Sequence, residues 1–244
     1  TTGDNNQAIG RGALEQNTTA SNNSAFGHHA LKANTTGTQN AAMGYQALTA
    51  NTTGLDNIAV GMFALGSNTT GERNTAIGKN ALYGNTTASN NTAVGKSALG
   101  VNTTGHSNTA SGFDALKANT TGTGNVAIGY NSLLANTTGT DNTAVGRFAL
   151  DEHTTGSNNT GLGRSALYTT TTGTYNIGIG RDAISSTPSV SGQCTLGNAS
   201  ITDLRCNDTS ISSLSDSRDK TDVIDSPYGL DFINTVRPVQ FLWD

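Results

Sequence analysis

Asn142-Thr-Ala-Val-Gly-Arg-Phe-Ala-Leu-Asp-Glu-His-Thr-Thr-Gly-Ser-Asn158 is one copy of a 17-residue unit that recurs through most of the 244-residue chain. Eleven copies follow one another without an insertion or a deletion, and a degenerate twelfth begins at Gln193. A fixed period of this kind indicates a solenoid, in which each unit is one coil stacked on the next. The regular copies begin at Asn6, Asn23, Asn40, Asn57, Asn74, Asn91, Asn108, Asn125, Asn142, Asn159 and Asn176.

The shared pattern is Asn-x-Ala-(apolar)-Gly-x-x-Ala-Leu-x-x-Asn-Thr-Thr-Gly-x-x, and we number its positions 1 to 17 from the first Asn. Each unit has two short apolar pieces, for example Asn57-Ile-Ala-Val-Gly61 and Ala64-Leu65. These pieces have the length of short strands, and the recurrent glycines would interrupt helices. The sequence therefore predicts an all-β parallel β-solenoid with two short strands and two turns in every coil.

Polar positions in the unit also have a structural interpretation. Position 5 is glycine in every unit, from Gly10 to Gly197, which predicts a positive φ or a close approach of backbones. The Asn-Thr-Thr-Gly phrase is typical of a turn, with its Asn in the left-handed region. The columns beginning at Asn6 and Asn17 are expected to form side-chain ladders. At about 4.8 Å per coil, the twelve coils would form a rod on the order of 55 Å long.

Composition narrows the function classes. Only 34% of the residues are hydrophobic, 12% are charged, and the net charge is −4. A charge this small favours neither nucleic acid nor an anionic membrane, and no apolar run reaches the length of a membrane span. The sequence indicates no cofactor and no metal. Cys194 and Cys206 leave open a single disulfide or two free thiols.

Adjacent apolar residues predict a partner surface. Ala93 and Val94 are neighbours, as are Ala98 and Leu99, and neighbours on a strand point to opposite faces. One face fills the solenoid, so the other would leave an apolar stripe exposed along the whole rod. Because the stripe repeats with the unit, we expect a homo-oligomer, and a trimer buries one stripe per chain around an axis. The mixed pairs at positions 6 and 7, and at 10 and 11, are predicted to face solvent and to carry any recognition.

The repeat in residues 6–197 resembles the head repeats of trimeric autotransporter adhesins, and it is similar to the Asn-Thr-Ala-(apolar)-Gly repeats of phage tail fibres. This resemblance implies a trimeric, left-handed β-roll over residues 1–197. Residues 198–214 alternate apolar and polar side chains and predict a β connector or cap.

Residues 215–244 resemble a second family. Ser215-Asp216-x-Arg218-x-Lys220 is followed by Gly229-Leu230-x-Phe232-Ile233 and by Arg237-Pro238-Val239-x-Phe241-x-Trp243. These phrases are similar to the start of the intramolecular chaperone of endosialidase-type phage tailspikes and fibres. In that family the domain trimerises, nucleates folding of the fibre and cuts itself off.

The chaperone resemblance implies a catalytic pair. The scissile bond would be Leu214–Ser215, with Ser215 as the nucleophile and Lys220 as the base, since a desolvated lysine can activate a hydroxyl. The family domain continues for many tens of residues past these phrases. Residues 215–244 would therefore be its short α+β opening, with no enzyme activity beyond autocleavage.

Together the resemblances imply a structural and adhesive tail fibre of a virus, assembled in the host cytoplasm and carried on the virion. Its partners would be two further copies, other tail proteins and a receptor on the host surface, with a glycan as one candidate. The main alternative is a bacterial trimeric adhesin at the cell surface, which would need a C-terminal membrane anchor.

Two further functions are weaker alternatives. A glycan-degrading tailspike needs paired carboxylates, whereas the acidic residues here are scattered over variable positions. An ice-binding solenoid needs alternate threonines on a strand, whereas Thr18-Thr19 and Thr35-Thr36 are adjacent in a predicted turn.

Two other patterns do not predict sites. Gly161-x-Gly163-x-x-Ala166 and Gly178-x-Gly180-x-x-Ala183 match a dinucleotide-binding pattern, but they are ordinary repeat units without a following helix. His28 and His29 could form a metal ring in a trimer, but solvated histidines are the better explanation of this pair.

Overall fold

The computed structural model describes residues 2–203, and Thr1–Thr202 form one compact unit. This unit confirms the all-β parallel solenoid, and no helix occurs within residues 2–203. Every coil contributes one strand to a single twelve-stranded sheet in which strand order follows chain order. The strands are β1 Gln7–Ile9, β2 Ser24–Phe26, β3 Ala41–Met43, β4 Ile58–Val60, β5 Thr75–Ile77, β6 Thr92–Val94, β7 Thr109–Ser111, β8 Val126–Ile128, β9 Thr143–Val145, β10 Thr160–Leu162, β11 Ile177–Ile179 and β12 Cys194–Leu196.

Register between strands equals the sequence period. Thr92 pairs with Thr109, Ala93 with Ala110, and Val94 with Ser111, so each residue pairs with the residue 17 positions later. The same offset holds between all neighbouring strands. Side chains at one position of the unit therefore form a column along the rod, and columns are the natural units for describing its surfaces.

The prediction of a second strand is wrong. Ala98 and Leu99 lie in a turn, with Leu99 at a φ of 51°, and both side chains are fully buried. The alternation rule applies to extended backbone, whereas the left-handed leucine bends the chain so that both neighbours point inward. The interior consists of the alanines at positions 3 and 8 and the leucine at position 9. Such a thin core explains how a chain with few large apolar residues folds.

Two asparagine ladders line the remaining interior, as predicted. In the first ladder, the Asn108 backbone N–H donates to Asn91 Oδ1 at 3.0 Å, and Asn108 Nδ2 donates to Gly122 O at 2.9 Å. In the second ladder, Asn119 Nδ2 donates to Asn102 Oδ1 at 2.8 Å and to the same Gly122 carbonyl at 3.0 Å. The position-15 carbonyl therefore joins the two ladders, and the buried amides of these coils are satisfied by the neighbouring coils.

Position 5 requires glycine for both of the predicted reasons. Gly95 has a φ of 132°, and a Cβ there would collide with the carbonyl oxygen of Gly112 in the next coil. The interpretation of the Asn-Thr-Thr-Gly phrase was partly wrong. Its Asn is a ladder residue outside the left-handed region, and the left-handed residue is the one before the first ladder, such as Asn90 with a φ of 63°.

Candidate interaction surface

The outer face of the sheet carries an exposed apolar stripe. In β6, Ala93 is fully buried while Val94 on the opposite face is 37% exposed, which confirms the predicted alternation for this piece of the unit. We call the position-4 column the outer apolar stripe. Its members are Ile9, Phe26, Met43, Val60, Ile77, Val94, Ser111, Ile128, Val145, Leu162, Ile179 and Leu196.

The stripe is continuous and nearly uniform. Ser111 is its one polar member, and apolar residues such as Ile58 and Ile177 at position 2 widen it. A shallow cavity of about 80 Å³ lies on it beside Phe26 and Met43. Soluble monomers rarely expose an apolar surface as long as this one, which follows all twelve strands of the solenoid, so this face has the character of a partner surface.

A second column, at position 6, comes directly after the position-5 glycine that every unit contains. We call it the basic-aromatic column. It contains six of the nine Lys and Arg residues between residues 2 and 203, and no Asp or Glu. Its members are Arg11, His28, Tyr45, Met62, Lys79, Lys96, Phe113, Tyr130, Arg147, Arg164 and Arg181.

Rings in this column stack on one another. The ring centroids of His28 and Tyr45 are 5.1 Å apart with the planes 6° from parallel, and those of Phe113 and Tyr130 are 5.3 Å apart and 9° from parallel. Lys96 Nζ lies 5.0 Å from the centroid of the Phe113 ring, within cation–π distance. The stacking follows from the register, because each ring lies one coil from the next. In the sequence, positions 6 and 7 look equally variable, and only a reading of position 6 by itself would have revealed the column.

The column deepens into a pocket near its C-terminal end. The pocket has a volume of about 400 Å³ and is formed by residues of three successive coils. Arg164 Nη2 lies 3.4 Å from Asp182 Oδ2, and Arg181 Nε lies 3.0 Å from the same oxygen. The pocket is lined by Arg147, Phe148, Arg164, Ser165, Tyr168, Asp182 and Ile184. Sequence reasoning did not find this pocket, because its residues come from three different units.

One titratable group lies inside the solenoid. His153 replaces the asparagine of the second ladder and is fully buried, with Nε2 2.8 Å from Gly156 O and Nδ1 3.3 Å from Thr170 O. Burial lowers the pKa of His153 below its ordinary 6.5, although both carbonyl contacts act in the opposite direction. Asn136 Oδ1, one coil away, is buried without a hydrogen-bond partner. In the regular ladder the next asparagine would donate to that oxygen, so the histidine interrupts the ladder.

The predicted catalytic residues lie outside the described part of the chain. Ser215, Lys220 and the Leu214–Ser215 bond all fall beyond residue 203, as do Cys206 and most of the 198–214 connector. Cys194 is exposed in β12.

The two dinucleotide-like phrases and the His28-His29 pair are parts of ordinary repeat units. Gly161 and Gly178 are the middle residues of β10 and β11, where they replace the position-3 alanine. His28 and His29 lie side by side, with ring centroids 3.8 Å apart. Within residues 2–203 no group of three His, Cys, Asp or Glu side chains could hold a metal ion. In the same range, no helix has the length and apolarity needed to cross a membrane.

No protein-family model matches the sequence, and neither a curated protein nor a solved structure shows significant similarity to it. The two surfaces and the pocket are therefore the physical basis for assigning a function.

Proposed function

We propose that this chain is the rod of a homotrimeric tail fibre of a virus, a structural and adhesive element that attaches the particle to its host. The observation that supports this proposal is the outer apolar stripe, which is exposed in coil after coil along the sheet. On the virion, the rod would join other tail proteins at one end and present its outer columns to a receptor on the host surface. Assembly would take place in the host cytoplasm.

The repeat of the stripe favours copies of the same chain as partners. A surface with a 17-residue period is matched coil by coil only by another surface with the same spacing. Three copies around a common axis would bury one stripe each, which closes the assembly without leaving a stripe exposed. Burial would contribute about 25 cal/mol for each Å² of apolar surface removed from water, summed over twelve coils.

Native mass spectrometry of the full chain tests the trimer. We expect three copies of the 24.9 kDa chain, whole or ending at Leu214. The double variant Ile77→Lys with Ile128→Lys places two charges on the stripe and is expected to yield monomers. Val101→Lys is the matched control, because Val101 is exposed to a similar degree but lies off the strands. A monomeric parent chain, or stripe variants that remain trimeric, would contradict the proposal.

The resemblance of residues 215–244 to an intramolecular chaperone supports a self-maturing fibre. Denaturing mass spectrometry of the chain expressed together with any C-terminal continuation that its gene encodes, as the parent, and of Ser215→Ala in the same form separates this part of the proposal from the trimer. We expect chains ending at Leu214 in the parent and intact chains in the variant. Intact chains in both samples would remove autocleavage and leave the trimeric rod unaffected.

A further inference from the structure

We propose that the pocket in the basic-aromatic column binds a carboxylated sugar unit of an acidic polysaccharide. This inference deepens the adhesive part of the proposed function and rests on it for its biological meaning. The binding chemistry itself depends only on the residues of one chain. It assigns a ligand class to residues that the fold does not need for its core or its ladders.

Two guanidinium groups provide the charge. Arg147 and Arg164 occupy the same column one coil apart, and both line the pocket. Arg164 shares Asp182 with Arg181, whereas Arg147 has no ion pair within residues 2–203. The guanidinium of Arg147 lies 4.9 Å from the centre of the Phe148 ring, which holds it over the pocket wall. A guanidinium held in this way is suited to a carboxylate, which it can bind with two parallel hydrogen bonds.

Apolar side chains in the pocket provide a surface on which the sugar ring can pack. Phe148 and Tyr168 are aromatic, and Ile184 beside them is 49% exposed. A pyranose ring has one apolar face of C–H groups, which packs on an aromatic ring, and hydroxyl groups at its edge. Ser165 lies in the same pocket and can form hydrogen bonds with those hydroxyls, whereas the Tyr168 hydroxyl already interacts with Glu152. A volume of about 400 Å³ lies at the lower end of small-molecule sites, which suits one or two sugar units.

The column extends the site along the rod. Arg181 continues it in one direction, and the stacked Tyr130 and Phe113 rings continue it in the other. A ligand that follows the column meets charge and ring faces at intervals of one coil, about 4.8 Å. A linear polymer of acidic sugars has both features in each of its units.

The mixed charge and the hydroxyl group of the pocket favour a sugar over a nucleic acid. Glu152 and Asp151 lie near the rim of the pocket, where they raise the pKa of Tyr168, with Glu152 the larger cause. Binding of a single-stranded nucleic acid depends on a continuous positive groove and on stacked bases, whereas Asp182 lies in this pocket between the arginines, and Ser165 offers a hydroxyl that suits the edge of a sugar ring. None of the residues that line the pocket belongs to a strand, so the pocket does not compete with the strands that carry the outer apolar stripe.

Isothermal titration of the full chain with polygalacturonate oligomers tests the site. We expect saturable binding that is lost when the carboxylates are methyl-esterified, because the sugar backbone then stays the same while its charge is removed. The double variant Arg147→Met with Arg164→Met is expected to weaken binding at least tenfold. Met62 occupies the same column, so methionine suits this backbone position.

Two further variants complete the test. Phe148→Asn removes the ring at a left-handed position where the chain has Asn80 and Asn131 in other coils, and it is also expected to weaken binding tenfold. Arg73→Met removes an exposed arginine at position 17 and is expected to leave binding unchanged.

Three results would overturn the inference: no binding of polygalacturonate, equal binding of its methyl ester, or equally tight binding of oligothymidylate. The last result would indicate a general polyanion surface. Native mass measured on the same samples separates this inference from the proposed function. A trimer that does not bind overturns the sugar site alone, and a monomer that binds overturns the trimer alone.

Discussion

His153 shows how much a single side chain matters in a repeat of this kind. Each asparagine of the second ladder accepts a hydrogen bond from the asparagine of the next coil, as Asn119 Oδ1 does from Asn136 Nδ2 at 2.9 Å. Asn136 Oδ1 lacks that donor because the next residue in the column is His153. A buried acceptor left without a partner costs about 1–3 kcal/mol. The ladder therefore has a local weak point at this coil.

Restoring the ladder should stabilise the fold. We predict that His153→Asn raises the free energy of unfolding by about 1–3 kcal/mol, because the new amide can donate to Asn136 Oδ1 and to Gly156 O. Urea denaturation of the parent and the variant measures this difference. An unchanged or lower stability would show that the imidazole satisfies the site as well as an amide does.

The same histidine makes stability depend on pH. Burial lowers the pKa of folded His153, so the unfolded chain takes up a proton below pH 6.5 before the folded chain does. We predict that stability falls as the pH decreases from 6.5 to the lowered pKa of the folded state. Asp151 acts in the opposite sense at lower pH, because burial raises its pKa above 3.8. Unfolding curves measured against pH should show a smaller fall below 6.5 in His153→Asn, which keeps Asp151 and His29, whose pKa is also lowered, first by desolvation. A fall of equal size in that variant would assign it to other groups.

Glycine at position 5 is a separate requirement at the residue scale. We predict that Gly95→Ala lowers the free energy of unfolding by at least about 3 kcal/mol, because its φ is 132° and its Cβ would meet the next coil. Gly84→Ala is the control, since position 11 is alanine in other coils, as at Ala50 and Ala118. The control should change stability by less than about 1 kcal/mol. Similar losses in both variants would contradict the special role of position 5.

At the scale of the element, the sequence correctly predicts the strand at positions 2 to 4 of each unit, whose side chains alternate between the two faces. It wrongly predicts a second strand at the Ala-Leu pair of positions 8 and 9, where both side chains point inward. Asn57-Ile-Ala-Val-Gly61 forms the strand β4 between a ladder residue and a turn glycine, as its pattern indicates. Ala64-Leu65 has the same apolar character, but a left-handed φ of 51° at Leu65 places it in a turn. Leucine has no intrinsic preference for that region, so the conformation comes from packing between coils and cannot be read from the residue itself.

The sequence also predicts one of the functional surfaces and misses another. The outer apolar stripe was predictable, because it depends only on which neighbours point outward on a strand. The pocket was not, because Arg147, Arg164 and Ile184 come from three units and meet only after the register is known. The register follows from the 17-residue period. Comparison of the residues at one position of every unit therefore predicts which side chains lie next to each other along the rod, and this identifies part of such a surface.

The first asparagine ladder acts as one element along the rod. We predict that Asn108→Ala lowers the free energy of unfolding by about 3 kcal/mol, because it removes the acceptor for the Asn125 backbone N–H and the donor to Gly122 O. Thr104→Ala, at an exposed position, should change stability by less than about 0.5 kcal/mol. Thermal and urea unfolding of both variants provide the comparison. Equal effects would show that solvent, rather than the ladder, satisfies these groups.

For the whole molecule, the coil is the unit of insertion and deletion. We predict that removal of residues 74–90, one full coil, leaves a folded rod, because Asn91 then stacks on Asn57 with the same register. Removal of only residues 83–90 should lower the stability much more, because the remaining half coil is too short to lead the chain back to the start of the next coil. Circular dichroism, urea unfolding and native mass compare the two deletions. A half-coil deletion that is as stable as the full-coil deletion would contradict a strictly periodic fold.

The coil-to-coil hydrogen bonds also determine how the rod responds to force. Each coil is held to its neighbour by backbone bonds such as Leu99 N–H to Ala115 O and Thr103 N–H to Thr120 O, both 3.0 Å long. A tether pulled at its ends loads the terminal coil first, and that coil peels away before the next one carries the tension. Each released coil adds about 60 Å of extended chain. Under tension, the rod should therefore unfold coil by coil, in extensions of equal length, and each step dissipates part of the mechanical work.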